Sequence, residues 1–202
     1  MKCIGIIGLG MIGGSIASGL KKRKLVEKII AYDTDTEGLV SALETGVIDF
    51  AASSIKEASS GVDLVIIAVP VLSVRSILEQ IPLNALITDV GSVKAPIIKA
   101  SRVIYGKVPE KLVPGHPIAG SEKQGFSSAN PDLFEKHKVI LTPLESTDEN
   151  ATDSIRKFWQ SLGAHVIEMS ASRHDSILAQ TSHLPHLLAY ALVETLSSSG
   201  DT

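Results

Sequence analysis

Cysteine is nearly missing from this sequence. Cys3 stands alone among 202 residues, so neither an intrachain disulfide nor a CxxC metal site can form, and a reducing cytoplasm is the default setting. Charge is sparse too, at 20% of residues, with 19 Lys+Arg against 22 Asp+Glu and no basic tract. That argues against nucleic acid, whose phosphates call for clustered Lys and Arg. Low charge beside 44% hydrophobic residues excludes an unfolded chain, and 16 Gly without a three-residue period exclude a collagen-like one. Long apolar runs are lacking as well. Residues 3–20 carry no charge, but their glycines make a poor membrane helix and no small-residue cleavage site follows, while no other stretch approaches the ~20 apolar residues of a span. What remains is a soluble globular chain of one domain plus a remainder, long enough to bury a sizeable core.

What is there alternates between two periods. Short apolar runs at 3–7, 28–32, 63–69, 86–90, 138–141 and 165–168 read as strands buried on both faces, with 47–52 as a further short strand. Helical patterns lie between them at 12–22, 36–44, 72–80, 95–101 and 148–162. Such alternation implies an α/β fold with one mostly parallel, doubly wound sheet and helices on both faces. The composition changes near residue 170. Residues 171–196 read as one long helix with a stripe of Ile177, Thr181, Leu184, Leu188 and Ala191, and Pro185 should kink it. The stripe calls for a partner helix, so we expect two units, 1–170 and 171–202.

Gly8-Leu9-Gly10-Met11-Ile12-Gly13 directly follows the first strand and opens the first helix. A GxGxxG pattern by itself is weak; in this context it reads as a Rossmann-type dinucleotide turn. Gly8 permits the tight turn, Gly10 lets backbone approach a pyrophosphate, and Gly13 allows close helix–strand packing. The amides of the helix start, at Met11 and Ile12, face the anion. Asp33 ends the second strand, where a carboxylate accepts hydrogen bonds from ribose hydroxyls and repels a 2′-phosphate. No Arg or Lys follows at Thr34, Asp35 or Thr36, so NAD is expected rather than NADP. Val69 and Pro70, at the end of the strand 63–69, complete the expected cofactor set.

Ligands of open α/β sheets bind beyond the carboxyl ends of the strands. Three segments qualify: Asp89-Val90-Gly91-Ser92-Val93-Lys94, the stretch from Pro114 to Glu122, and His183-Leu184-Pro185-His186. His116, between Gly115 and Pro117, reads as a loop residue and a candidate general base, with an ordinary pKa near 6.5. Ser92 could orient its ring, and Ser121 and Glu122 are polar neighbours. A zinc site from His174, His183 and His186 is disfavoured, because a spacing of nine residues puts His174 and His183 on different sides of a helix. No metal is expected.

Taken together, GLGMIGGS at 8–15, DVGSVK at 89–94, GHPIAGSEKQG at 115–125, VILTP at 139–143 and SHLPH at 182–186 resemble the prephenate dehydrogenase family, which includes arogenate dehydrogenases. The resemblance implies an NAD-dependent oxidative decarboxylation of prephenate to 4-hydroxyphenylpyruvate in tyrosine biosynthesis. It implies that His116 takes the ring hydroxyl's proton as hydride passes to the nicotinamide, and that Ser92 supports His116. It further implies that Ser121 and Glu122 wall the pocket, that His183 and His186 lie on the substrate side, and that the enzyme is a homodimer through a C-terminal helical domain. Family members carry in that domain an arginine for a substrate carboxylate. This sequence ends at Thr202, and none of its five arginines (23, 75, 102, 156 and 173) occupies a matching motif, which raises the expectation of a truncated or inactive form. Two rivals remain: a 3-hydroxyacid dehydrogenase, which shares the GLGxMG start but needs a lysine helix not seen here, and a non-catalytic NAD(H)-sensing module.

Overall fold

A computed structural model describes residues 1–120 and 123–198. Its first six strands are β1 (Cys3–Ile7), β2 (Lys28–Tyr32), β3 (Phe50–Ala51), β4 (Leu64–Ile67), β5 (Ile87–Asp89) and β6 (Leu112–Val113). They form one parallel sheet in the order β3-β2-β1-β4-β5-β6, the Rossmann arrangement. The helices are α1 (Met11–Lys22), α2 (Thr36–Glu44), α3 (Ile55–Ser59), α4 (Val74–Leu78), α5 (Ala95–Tyr105), α6 (Glu149–Ser161), α7 (Ala171–Leu178) and α8 (Leu184–Ser198).

The side chains of the central strands divide by the pleat. Ile4, Ile6, Leu64 and Ile66 join one core cluster with Trp159, Phe134 and Phe158, while Ile7, Val65 and Ile67 join another with Leu78 and Ile97. A strand buried on both faces must be apolar throughout, which is why these runs do not alternate with polar residues. Gly5 has a different reason: a Cβ there would lie 2.1 Å from the Ala58 carbonyl oxygen, so α3 can cross β1 only over a glycine.

Local chemistry starts four of the eight α-helices among the described residues. Asp35, Ser54, Asp148 and Ser170 each accept a backbone N–H in the first turn of α2, α3, α6 and α7. At α3 the Glu57 carboxylate also reaches back to the Ser53 amide at 2.7 Å, a capping box shifted by one residue.

Three expectations need correction. The segments 138–141 and 165–168 do not extend the large sheet. As β8 (Lys138–Leu141) and β9 (His165–Glu168) they build a second, three-stranded sheet with β7 (Gly115–Ile118), in the order β7-β8-β9. β9 is its edge and is largely exposed rather than buried on both faces. His116 is therefore a strand residue, paired with Ile140 on an antiparallel edge, and not a loop residue. Pro117 hid the strand, because an edge is the one place where a strand tolerates proline. The helix expected over 171–196 is broken into α7, a π-helical turn at Ala179–His183, and α8. Pro185 has no N–H for the preceding turn, and the irregularity falls just ahead of it. Among the described residues no helix is long and apolar enough to cross a membrane.

Candidate active site

The glycine turn is built as its spacing demands. Gly8 has φ of +95° and an added Cβ would lie 2.3 Å from the Ala68 carbonyl oxygen. At Gly13 the added atom would sit 1.9 Å from the Gly8 oxygen, so α1 meets β1 closely. Beside Gly10 there is open space. Unlike α2, α3, α6 and α7, α1 has no side-chain cap and no acidic residue in its first turn. The positive end of its dipole therefore meets no acidic side chain of its own first turn, which suits an anion. Ile12 offers only backbone there, because its side chain packs on the core.

A cavity of about 340 Å³ opens beside this turn, lined by Gly8, Gly10, Asp33, Val69 and Pro70 among others. The half-buried Asp33 carboxylate accepts the Leu9 amide and, at 2.8 Å, the Asp35 amide. It ties the glycine turn to the end of β2 and keeps acceptor capacity toward the cavity. These residues fit the adenosine and pyrophosphate of a dinucleotide.

A second cavity, about 740 Å³, lies where β7 meets the C-terminal helices. Its walls include His116, Gly120, His137, Leu178, His186 and Tyr190. The sequence passed over Lys94 as a residue with a role, yet this lysine is completely buried and organises the site. Its ammonium donates to Asp89 Oδ2 and to the Gly115 carbonyl, both at 2.5 Å, joining the end of β5 to the start of β7. Burial pushes its pKa down, against the pull of Asp89.

His116 Nδ1 lies 2.9 Å from Nε2 of His174, and His174 Nδ1 lies 2.7 Å from Asp175 Oδ1. His174 is fully buried. Asp175 also accepts the amides of Lys94 at 2.8 Å and Ala95 at 2.9 Å, capping α5 from another helix. Burial works against its charge, but these two amides and the His174 ring outweigh it and hold the carboxyl below its usual range. Sequence reasoning weighed His174 only as a metal ligand. No spacing could have placed His174 against a residue 58 positions earlier.

The pKa of His116 is not near 6.5. Burial, followed by the charges of Lys94, His174 and His183, pushes it down to about 3, with only Asp175 opposing. The ring is therefore a neutral proton acceptor throughout the physiological range. Ser92 is exposed, and among the described residues no hydrogen bond joins it to His116. His183 is half-buried and close enough to affect His116 electrostatically. His186 donates its Nδ1–H to the Ser182 carbonyl at 2.9 Å, which leaves Nε2 as the ring nitrogen not engaged there. Ser121 and Glu122 lie outside the described residues.

Comparison with known proteins agrees with this geometry. Residues 16–168 match the family model for the prephenate dehydrogenase nucleotide-binding domain, and residues 170–202 match that for the dimerization domain. The prephenate dehydrogenase of Bacillus subtilis (strain 168) is 40% identical over 198 residues, covering 93% of this chain and 52% of the relative. The chain thus spans about half that relative's length. The cyclohexadienyl dehydrogenase of Zymomonas mobilis is 35% identical over 97% of this chain and 68% of its own. A crystal structure of prephenate dehydrogenase from A. aeolicus, in complex with hydroxyphenyl propionate and NAD+, superposes with a TM-score of 0.89 at 36% identity, covering 98% of this chain and 70% of that one. Sequence, sheet order and site geometry converge: the chain belongs to the prephenate dehydrogenase family.

Proposed function

We propose that this chain is the nucleotide-binding unit, residues 1–170, and the first helical part, 171–202, of an NAD-dependent prephenate dehydrogenase of tyrosine biosynthesis, cytoplasmic and homodimeric through the C-terminal helices. The observation that carries the reading is a neutral histidine, His116, on the wall of a cavity it shares with His186, in a Rossmann fold with an uncapped glycine-turn helix. In this reading Gly8, Gly10 and the amides of Met11 and Ile12 hold the pyrophosphate, Gly13 keeps the helix close, and Asp33 takes the ribose hydroxyls. NAD+, when bound, supplies the two-electron acceptor for the ring carbon bearing the hydroxyl. His116 accepts that hydroxyl's proton and returns it to the ring oxygen once the carboxylate has left as CO2 and the ring is aromatic. Ser121, Glu122 and His183 are assigned to the substrate side. The exposed apolar residues of α8, including Leu187, Leu188, Leu192 and Leu196, are assigned to the dimer contact.

The test is an assay of the chain, alone and fused to the remaining C-terminal length of the B. subtilis relative, with prephenate and NAD+. NADH formation is expected in the fused form. His116→Asn should lower kcat by roughly 10²–10⁴, the usual share of general acid–base catalysis, with NAD+ affinity nearly intact. NAD+ binding without turnover in either form would favour the sensing module. A second substrate reading rests on His186. A protonated ring suits the keto acid of prephenate, whereas a neutral ring that keeps the Nδ1–H bond to Ser182 presents an acceptor at Nε2, which suits the ammonium of arogenate. Measuring kcat/KM for both substrates before and after His186→Val decides between them, and an unmoved ratio removes His186 from selection.

A further inference from the structure

His116 can act as a base only if the nitrogen facing the substrate is bare, and that depends on which ring nitrogen carries the proton. The chain of contacts behind it bears on that choice. Asp175 accepts two backbone amides and carries a carboxylate, which can only accept. The nitrogen of His174 facing it, Nδ1, must therefore bear a proton. With His174 neutral, its lone pair is on Nε2, the atom 2.9 Å from His116 Nδ1. His116 Nδ1 then donates into that contact and the lone pair of its ring is left on Nε2, whereas a protonated His174 would reverse the contact.

We infer that His174 and Asp175 are positioning residues for the base: Asp175 sets the tautomer of His174, His174 sets that of His116, and the first turn of α7 thereby exposes Nε2 as the proton acceptor. The mechanical arrangement supports this use. Asp175 is anchored to the start of α5 through the Lys94 and Ala95 amides, while the Lys94 ammonium holds the Gly115 carbonyl next to His116. One carboxylate thus fixes both the relay and the strand that carries the base. When Nε2 takes a proton, the Nδ1–H of His116 becomes a cationic donor to His174, and no second proton need move. His174 and Asp175 fall within the segment matched by the dimerization-domain model, so the helical part contributes directly to the base in the other part. The catalytic consequence rests on the proposed dehydrogenase reading, whereas the tautomer does not.

Nitrogen-15 NMR of the histidine rings in this chain, near neutral pH, tests the inference without any substrate. His116 should appear as the neutral Nδ1–H form, with a pyridine-like Nε2. In His174→Phe, which keeps an aromatic ring but no acceptor, His116 should lose that preference, and kcat in the fused form should fall by roughly 10²-fold, within the range of general-base contributions. His174→Gln keeps an acceptor near the position of Nε2 and should retain both the tautomer and most of the turnover. A residue that only fills space would be hurt as much by glutamine as by phenylalanine. Should His174→Phe fail to fold, Asp175→Asn carries the same test, since an amide lets His174 take either tautomer. An Nε2–H form of His116 in the unmodified chain overturns the inference, as does a tautomer unmoved by both His174→Phe and Asp175→Asn. A chain with the expected tautomer but no prephenate turnover would instead defeat the functional reading and leave the relay standing.

Discussion

A histidine held neutral inside a fold must leave a mark on stability against pH, and His116 should be the clearest such mark in this chain. Its pKa is about 3 in the folded state, against about 6.5 when unfolded. Between those values the unfolded chain binds a proton that the folded chain refuses. The stabilisation is thus fully present above about pH 6.5 and is lost as pH falls toward about 3. Going from about pH 7 to about pH 4.5, the difference in proton uptake amounts to about 2.5 kcal/mol at most, and to about half that once solvent reaching the partly open ring is allowed for. For a chain of this length that means a Tm lower by roughly 3–10 °C.

Carboxylates held low by their own hydrogen bonds, such as Asp175, destabilise the fold on acidification by the same logic. The comparison must therefore be between the natural chain and His116→Asn, which cannot titrate but keeps a donor toward His174. Thermal unfolding followed by circular dichroism at both pH values gives four melting temperatures. The natural chain should lose roughly 3–10 °C more than the variant on acidification. Equal losses would refute the claim that burial and Lys94 keep the ring neutral, and would return His116 to an ordinary pKa.

Three further outcomes are expected. Gly13→Ala puts a Cβ 1.9 Å from the Gly8 oxygen, so α1 must shift; a loss of roughly 1–3 kcal/mol and weaker NAD+ binding should follow, and an unchanged Tm would deny the close packing. Changing Asp33 to Ser together with Thr34→Arg should move cofactor preference toward NADP, by titration of both nucleotides; a natural chain that already binds NADP more tightly defeats that reading of Asp33. The fused, longer form should sediment as a dimer at micromolar concentration, because α8 exposes Leu187, Leu188, Leu192 and Leu196 by more than half each. A monomer would count against α8 as the contact.

Some of this protein is written in short stretches of sequence. The glycine turn, Asp33 after β2 and the capping aspartates depend on residues within a few positions of one another, and the central strands announce themselves by unbroken apolar runs. Such features survive without knowledge of the rest, because backbone sterics, helix-end amides and burial on two faces act locally. The motifs around His116 and His186 are local in the same sense, and the fold brings both residues to one cavity. What local patterns do not carry is which strands pair and which side chains meet. β7 has four residues, one of them proline, and only its pairing with β8 makes His116 a strand residue. The second sheet was invisible, since a run of apolar residues does not name its neighbour. Lys94 became a buried clamp, and His174 and Asp175 came to stand behind His116, because the return of the chain after β9 brings α7 against the start of α5. Those contacts join residues 58 and 81 positions apart, and closure of the whole fold, not spacing along the chain, decides them.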